Sequence, residues 1–315
     1  MLKVGVIGTG AIGQEHIRRI NDTLRGAEVV AVSDVHVETG KKVAEKYNAT
    51  FYETGEDLIR SEDVDAIVIT SIDSTHGKYV LESIKNQKYV FCEKPLAEKA
   101  QECKDIVEAE IAAGKQVVQV GYMRRFDAGY LKLKEIINGK KYGEPLMIHC
   151  AHRNPNVDTN YTTPMEIENS AVHEFDVLRW LTGEEYISAQ AIMPKKTRFS
   201  HENLHDPQIV LLETESGIRI DIEIFVNCQY GYDIKCEVVS ESGIISLPEP
   251  SSPLIRSNAA RSEEVLTDWK RRFEDAYNTE LQLWIDATIA GKVEGPSAWD
   301  GYLTALTAQA CSEAR

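Results

Sequence analysis

The 315-residue chain has no apolar run approaching the roughly eighteen residues a membrane-spanning helix needs. Positive charge is in short supply: 35 Lys and Arg face 50 Asp and Glu, a formal net charge of -15. Such a surface is a poor partner for nucleic-acid phosphates or anionic lipid, so neither nucleic acid nor membrane is expected as a partner. The six cysteines (Cys92, Cys103, Cys150, Cys228, Cys236 and Cys311) include no C-x-x-C pair and no tight Cys/His spacing. They read as free thiols in a reducing compartment, with neither a disulfide framework nor a metal site. Met1-Leu2-Lys3 runs into a strand-like segment with no secretory signal, which points to the cytoplasm. No internal repeat or low-complexity tract is present. What remains, 43% hydrophobic and 27% charged, is ordinary globular material long enough for two domains.

Through about residue 120, short apolar runs alternate with amphipathic stretches. Lys3 to Ile7, Val29 to Ser33, Ala66 to Thr70, Tyr89 to Cys92 and Val117 to Val120 are continuous and rich in Val and Ile, as buried parallel strands are. Helices are predicted over Ile12 to Leu24, Glu38 to Tyr47, Thr75 to Asn86 and Lys99 to Ala113, with Gly114 as a stop. That alternation predicts a doubly wound Rossmann domain over residues 1–122. The remainder, 123–315, reads as a second α/β domain, with room for its last helix to pack back on the first. It has a helix from Ala128 to Asn138, a strand from Leu146 to His152, a polar loop from Arg153 to Pro164 and a helix from Asn169 to Leu181. Strands follow over Ile209 to Glu213, Ile218 to Phe225, Ile234 to Val239 and Gly243 to Leu247, then a Ser/Pro/Asn-rich loop and helices from Asp268 to Ala290 and from Trp299 onward. Short turns between these strands imply a large, open, mixed or antiparallel sheet.

Gly8-Thr-Gly10-Ala11-Ile12-Gly13 places G-x-G-x-x-G between a strand and a helix. Gly8 permits the tight turn, Gly10 bares the backbone to a pyrophosphate, and Gly13 lets helix and strand pack closely. Asp34 follows the second strand, where a carboxylate accepts from a ribose 2′-OH and repels a 2′-phosphate. Val35 and His36 supply no offsetting arginine, so NAD is the expected cofactor. The plainer alternative makes Asp34 a cap for the helix near Val37. Ser71, His76, Glu93 and Lys94 complete the expected cofactor site with Ala11 and Ile12.

Glu93-Lys94-Pro95 lies just past the strand Tyr89 to Cys92, at the sheet edge where such folds bind ligands. The proline biases Lys94 toward extended backbone and aims its ammonium across the strand ends. In Asn169-Ser-Ala-Val-His173-Glu-Phe-Asp176, helical spacing puts Asn169, His173 and Asp176 on one face. An imidazole titrating near neutrality suits removal of an alcohol proton.

With the glycine turn, Glu93-Lys94-Pro95 and His173-x-x-Asp176, the chain resembles the Gfo/Idh/MocA family. It resembles the inositol-oxidising members most closely through Val90-Phe-Cys-Glu-Lys-Pro-Leu-Ala, residues 118–127, residues 144–155, Asn227-Cys-Gln-Tyr-Gly-Tyr-Asp233 and Trp299-Asp-Gly-Tyr302. The resemblance implies NAD-linked oxidation of the axial hydroxyl of myo-inositol and a homotetramer built through the open sheet. It implies that Lys94 holds the substrate oxygen and that His173 is the base. Met123, Arg124, His152, Asn154, Tyr230 and Tyr232 match substrate contacts. Asn169 stands where many relatives carry Asp, so it brings no charge to stabilise a protonated His173. The alternatives are a dehydrogenase for scyllo-inositol or another sugar or polyol, and a non-catalytic NAD(H) sensor.

Overall fold

The computed structural model describes all 315 residues, which form two compact units: residues 1–123 with 277–306, and residues 124–276 with 307–315. In the first, strands β1 (Leu2–Ile7), β2 (Ala27–Ser33), β3 (Thr50–Tyr52), β4 (Ala66–Ile69), β5 (Tyr89–Glu93) and β6 (Val118–Gly121) make one sheet. Its order is β3-β2-β1-β4-β5-β6 and every pairing is parallel. The connections are helical: α1 (Ala11–Arg18), α2 (Val37–Tyr47), α3 (Gly55–Arg60), α4 (His76–Lys85) and α5 (Ala100–Ala113).

Continuous apolar strands follow from burial on both faces. Ile67, Ile69, Val90 and Cys92 point into one apolar cluster, while Ala66, Val68 and Phe91 point into the other. Leu281, Trp284 and Ile285 close that second cluster. Each fully buried aliphatic or aromatic side chain contributes roughly 1.5–3 kcal/mol. Strand order reverses between β1 and β4, which opens a crevice at their carboxyl ends.

Two local expectations need correction here. Strand β3 went unrecognised, because three half-buried or exposed residues carry too little pattern to read. The first helix stops being α-helical at Arg18 and continues as a π-helical turn over Arg19–Thr23.

The second unit contains α6 (Ala128–Asn138), β7 (Pro145–Arg153), α7 (Thr163–Met165) and α8 (Val172–Thr182). Its strands continue as β8 (Tyr186–Ile192), β9 (Gln208–Thr214), β10 (Arg219–Phe225), β11 (Asp233–Ser240) and β12 (Gly243–Ser246). They form a sheet of order β12-β11-β7-β10-β9-β8, in which only β7–β10 is parallel. Alternation is strict: Val210, Leu212, Ile220, Ile222 and Ile224 are buried, and Ile209, Leu211, Asp221 and Glu223 between them are half-exposed. One face is therefore core, and the other is open.

The helix expected from Asn169 is interrupted. It starts earlier as α7, passes through a π-helical turn over Glu166–Ser170, and becomes α-helical again only at Val172. The expected loop after β12 holds a small hairpin, β13 (Ile255–Ser257) and β14 (Ala260–Ser262). Its turn residues Asn258 and Ala259 both have positive φ (51° and 59°), as the type I′ hairpin turn requires. Helices α9 (Trp269–Ile289) and α10 (Ala298–Glu313) complete the chain. No helix is long and apolar enough to cross a membrane, and all six cysteines are free thiols.

Candidate active site

After β1 the chain turns through Gly8, Thr9 and Gly10 into α1. Gly8 has φ +96°, and a Cβ there would lie 2.5 Å from the Ser71 amide nitrogen. A Cβ at Gly13 would lie 2.1 Å from the Gly8 carbonyl oxygen. Both glycines are demanded by the fold itself. Gly10 differs: a Cβ there would meet nothing within 4 Å, and Gly10 and Ala11 are exposed. Its bare backbone leads into the amides of Ala11, Ile12 and Gly13 at the start of α1, whose first turn has no acidic residue. Donors without acceptors, next to open space, fit a pyrophosphate.

Asp34 closes on this turn. Thr9 donates to its Oδ2 through the amide (2.6 Å) and through Oγ1 (2.7 Å), and the His36 amide donates to Oδ1 at 2.7 Å. Burial opposes its ionisation, but these bonds outweigh it and hold the carboxyl below its ordinary range. Helix α2 has His36 as N-cap with no side-chain cap, so Asp34 belongs to the glycine turn and does not cap α2.

Ser71 follows β4 and shares a 2.7 Å hydrogen bond with Thr75 Oγ1. His76 is buried, with Nδ1 2.7 Å from the Pro95 carbonyl and Nε2 3.0 Å from the Ser71 carbonyl. It ties the segment after β4 to the one after β5. Between them stands Lys94, half-buried, its peptide bond to Pro95 cis. The buried Glu93 carboxylate is 2.8 Å from His16 Nε2 and accepts the Lys94 amide at 3.1 Å. Gly121 on β6 makes room for it, since a Cβ there would sit 3.1 Å from Glu93 Cδ. Burial works to raise the Glu93 pKa, yet the bond to His16 and the charges of His16 and Lys94 bring it below the ordinary range. The backbone leading to Lys94 is thus anchored on a buried anion. Sequence reasoning had not singled out His16, whose spacing in α1 reads simply as an inward-facing residue.

In the second unit, Arg124 is fully buried and ion-paired to Glu174. The other Glu174 oxygen lies 3.0 Å from His152 Nδ1, with Arg124 Nη2 3.2 Å from the same nitrogen. Nδ1 thus faces both an accepting carboxylate and a donating guanidinium, and these two partners fix the ring so that Nε2 points away from the ion pair. Burial would raise the Glu174 pKa, but Arg124 and His152 together lower it to about 2. The His152 ring centroid lies 6.2 Å from that of His173 and 6.3 Å from that of Tyr232. Burial pushes the Tyr232 phenol up to about 12, so it stays a neutral hydroxyl.

The structure therefore gathers His152, His173 and Tyr232 over one buried ion pair. Asn154 is held by its backbone, donating to Phe225 O and accepting from Cys228 N at 3.0 Å each, while its buried Oδ1 has no hydrogen-bond partner. Such an orphan acceptor suits a ligand hydroxyl. Tyr230 stands apart. It is 50% exposed, donating to Asp233 Oδ2 at 2.5 Å and accepting from Arg153 at 3.0 Å.

Met123 is buried just past β6. Half-buried His173 is in the first turn of α8, whereas half-buried Asn169 lies in the π-helical turn. Asp176, expected beside His173, is buried and gripped by Arg125 at 2.8 and 2.5 Å. Glu174 and Arg125 were missed because their partners lie about fifty residues away along the chain.

Residues 2–122 match the oxidoreductase family with an NAD-binding Rossmann fold called Gfo/Idh/MocA, and residues 134–315 match that family's C-terminal alpha/beta domain. Inositol 2-dehydrogenase of Serratia proteamaculans is 55% identical over 316 residues, covering 100% of this chain and 94% of that protein. The Azotobacter vinelandii protein of the same name is 56% identical, with the same coverage. The crystal structure of myo-inositol dehydrogenase from Lactobacillus casei with NAD(H) and myo-inositol superposes with a TM-score of 0.97 at 41% identity, covering 100% of this chain and 94% of that one.

Proposed function

The chain belongs to the Gfo/Idh/MocA oxidoreductase family, and we propose that it is an NAD-dependent dehydrogenase that oxidises the C2 hydroxyl of myo-inositol to scyllo-inosose. One observation carries this reading: identity of 54–56% to inositol 2-dehydrogenases, sustained over the whole chain.

In this reading Gly8, Gly10, Ala11, Ile12 and Gly13 hold the pyrophosphate and Asp34 the adenosine ribose, with Ser71, His76 and Glu93 shaping the remaining wall. NAD⁺, when bound, supplies the hydride acceptor. Lys94 stabilises the developing alkoxide as an ammonium. His173 takes the hydroxyl proton, and Asn169 orients the ring or a neighbouring hydroxyl without adding charge. Met123, Arg124, His152, Asn154, Tyr230 and Tyr232 make the polyol site, with Arg124 acting through Glu174. A cyclitol is recognised by many paired donors and acceptors, and His152 Nε2, Asn154 Oδ1 and the Tyr232 hydroxyl supply that mixture.

The same reading makes the protein a cytoplasmic homotetramer serving inositol catabolism. The open face of the second sheet supports this, since Met147 and Ile192 are exposed there beside half-exposed Ile209, Leu211 and Val239. Sedimentation equilibrium tests the tetramer directly.

The activity is tested by following NADH formation on myo-, scyllo- and chiro-inositol and on glucose. The expected result is a kcat/KM for myo-inositol at least about tenfold above the others, worth about 1.4 kcal/mol of discrimination. Preference for scyllo-inositol or glucose would replace myo-inositol as substrate. NAD binding without turnover on any polyol would leave a sensor.

A further inference from the structure

Glu166 opens the π-helical turn that carries Asn169, and its side chain is fully buried. Neither of its carboxylate oxygens receives a hydrogen bond from a protein donor. Its side-chain neighbour is Gln208, the equally buried first residue of β9. Gln208 Nε2 donates to the Thr163 carbonyl at 2.8 Å, and Gln208 Oε1 has no donor. Reversing the amide would set its oxygen against that carbonyl, so its orientation is decided. With Glu166 ionised, its two oxygens and Gln208 Oε1 would be three buried acceptors with only the remaining Gln208 amide hydrogen to favour the anion, a costly deficit. One proton on Glu166, donated to Gln208 Oε1, removes the deficit.

Burial and the nearest carboxylate together favour the neutral form. Asp206, fully buried ahead of β9, faces Glu166 and is itself satisfied by the Val226 amide and Asn227 Nδ2, both at 3.0 Å. Arg315 is the cation facing Glu166 and favours its ionised form, and the His205 ring faces Asp206. Glu168 on the same turn is exposed and bonded to Ser312 at 2.9 Å. Burial first, and Asp206 second, push Glu166 up to about 9.

We propose that Glu166 is a positioning residue, a neutral acid whose O–H donates to Gln208 and clamps onto β9 the turn bearing Asn169 and, one turn later, His173. The inference rests on the roles assigned above to those two residues. The backbone supports the linkage: the Ala171 amide donates to the Glu166 carbonyl at 2.9 Å, closing the π turn, and Val172 then starts α8. Single π turns of this kind recur at functional sites. Asp206 extends the same buried node to Asn227, which opens the segment leading to Tyr230 and Tyr232.

The test uses the full-length enzyme and the variants Glu166→Gln and Glu166→Ala. Glutamine keeps a donor for Gln208 but cannot ionise. A folded-state pKa raised above the unfolded one makes wild-type stability fall as pH rises from about 4.5 to about 9, so the Glu166→Gln unfolding midpoint should gain on wild type across that window and level off beyond it. A midpoint difference that stays constant, or shrinks with pH, overturns the neutral acid.

In kinetics, Glu166→Ala should raise the cyclitol KM about tenfold while KM for NAD⁺ holds within about twofold, and Glu166→Gln should restore most of the cyclitol KM. Equal damage to both Michaelis constants, or no rescue by glutamine, overturns positioning. A wild-type enzyme inactive on every cyclitol would defeat the functional reading while leaving the stability test of the proton intact.

Discussion

Glu174 Oε2 lies 3.0 Å from His152 Nδ1 while its other oxygen pairs with Arg124, and all three side chains are almost wholly buried. The imidazole held by this carboxylate is thus His152, in strand β7. A histidine so held presents Nε2 in a fixed direction, which is a means of reading a hydroxyl's position.

Glu174→Gln would leave Arg124 buried without its counter-charge. Breaking a buried pair in this way costs about 3–5 kcal/mol, and chemical denaturation measures it. Because the folded Glu174 pKa (about 2) lies below its ordinary value of 4.5, its contribution is present above pH 4.5 and is lost as pH falls toward 2. Wild type should therefore weaken on that acid limb, and Glu174→Gln should lack this component of the loss.

Lys94→Ala and His173→Ala should each lower kcat by about 10²–10⁴-fold. NAD⁺ affinity, measured by calorimetry, should stay within about threefold of wild type, a change under about 1 kcal/mol. Turnover within a few-fold of wild type in both variants would remove the roles assigned to them.

The glycine turn separates fold from function. A Cβ at Gly13 would overlap the Gly8 carbonyl at 2.1 Å, so Gly13→Ala should cost at least about 1–3 kcal/mol of stability. A Cβ at Gly10 meets only open space, so Gly10→Ala should keep its unfolding free energy within about 0.5 kcal/mol of wild type. Its NAD⁺ affinity should nevertheless fall about tenfold, because the methyl would intrude on the pyrophosphate position proposed above.

Asp34→Ala removes the charged acceptor proposed to meet the adenosine ribose. Charged hydrogen bonds contribute about 1.5–3 kcal/mol, so kcat/KM with NAD⁺ should drop at least about tenfold. The preference over NADP⁺ should narrow by more, since the repulsion of a 2′-phosphate goes too. An unchanged cofactor ratio would place the discriminating group elsewhere.

The parallel sheet was legible because burial on both faces writes itself as unbroken Val and Ile runs, and the dinucleotide turn because three glycines and Asp34 stand at spacings set by local backbone geometry. The strand β3 and the β13–β14 hairpin escaped, being three residues each and weakly buried. The interruption of the helix before His173 escaped for another reason. A π turn inserts no distinctive residue; it registers an i→i+5 bond that depends on what holds the turn, here Glu166 against Gln208.

What the amino-acid order determined on its own is whatever near neighbours enforce: strand and helix rhythm, the bare backbone at Gly10, and a carboxylate at Asp34 beside the glycine turn. Only the tertiary structure decided which buried charges meet. Arg124 finds Glu174 and Glu93 finds His16 across 50 and 77 residues of chain. Such pairs leave no periodic trace, because a buried ion chooses its partner by shared desolvation and distance, and neither exists until the chain has folded.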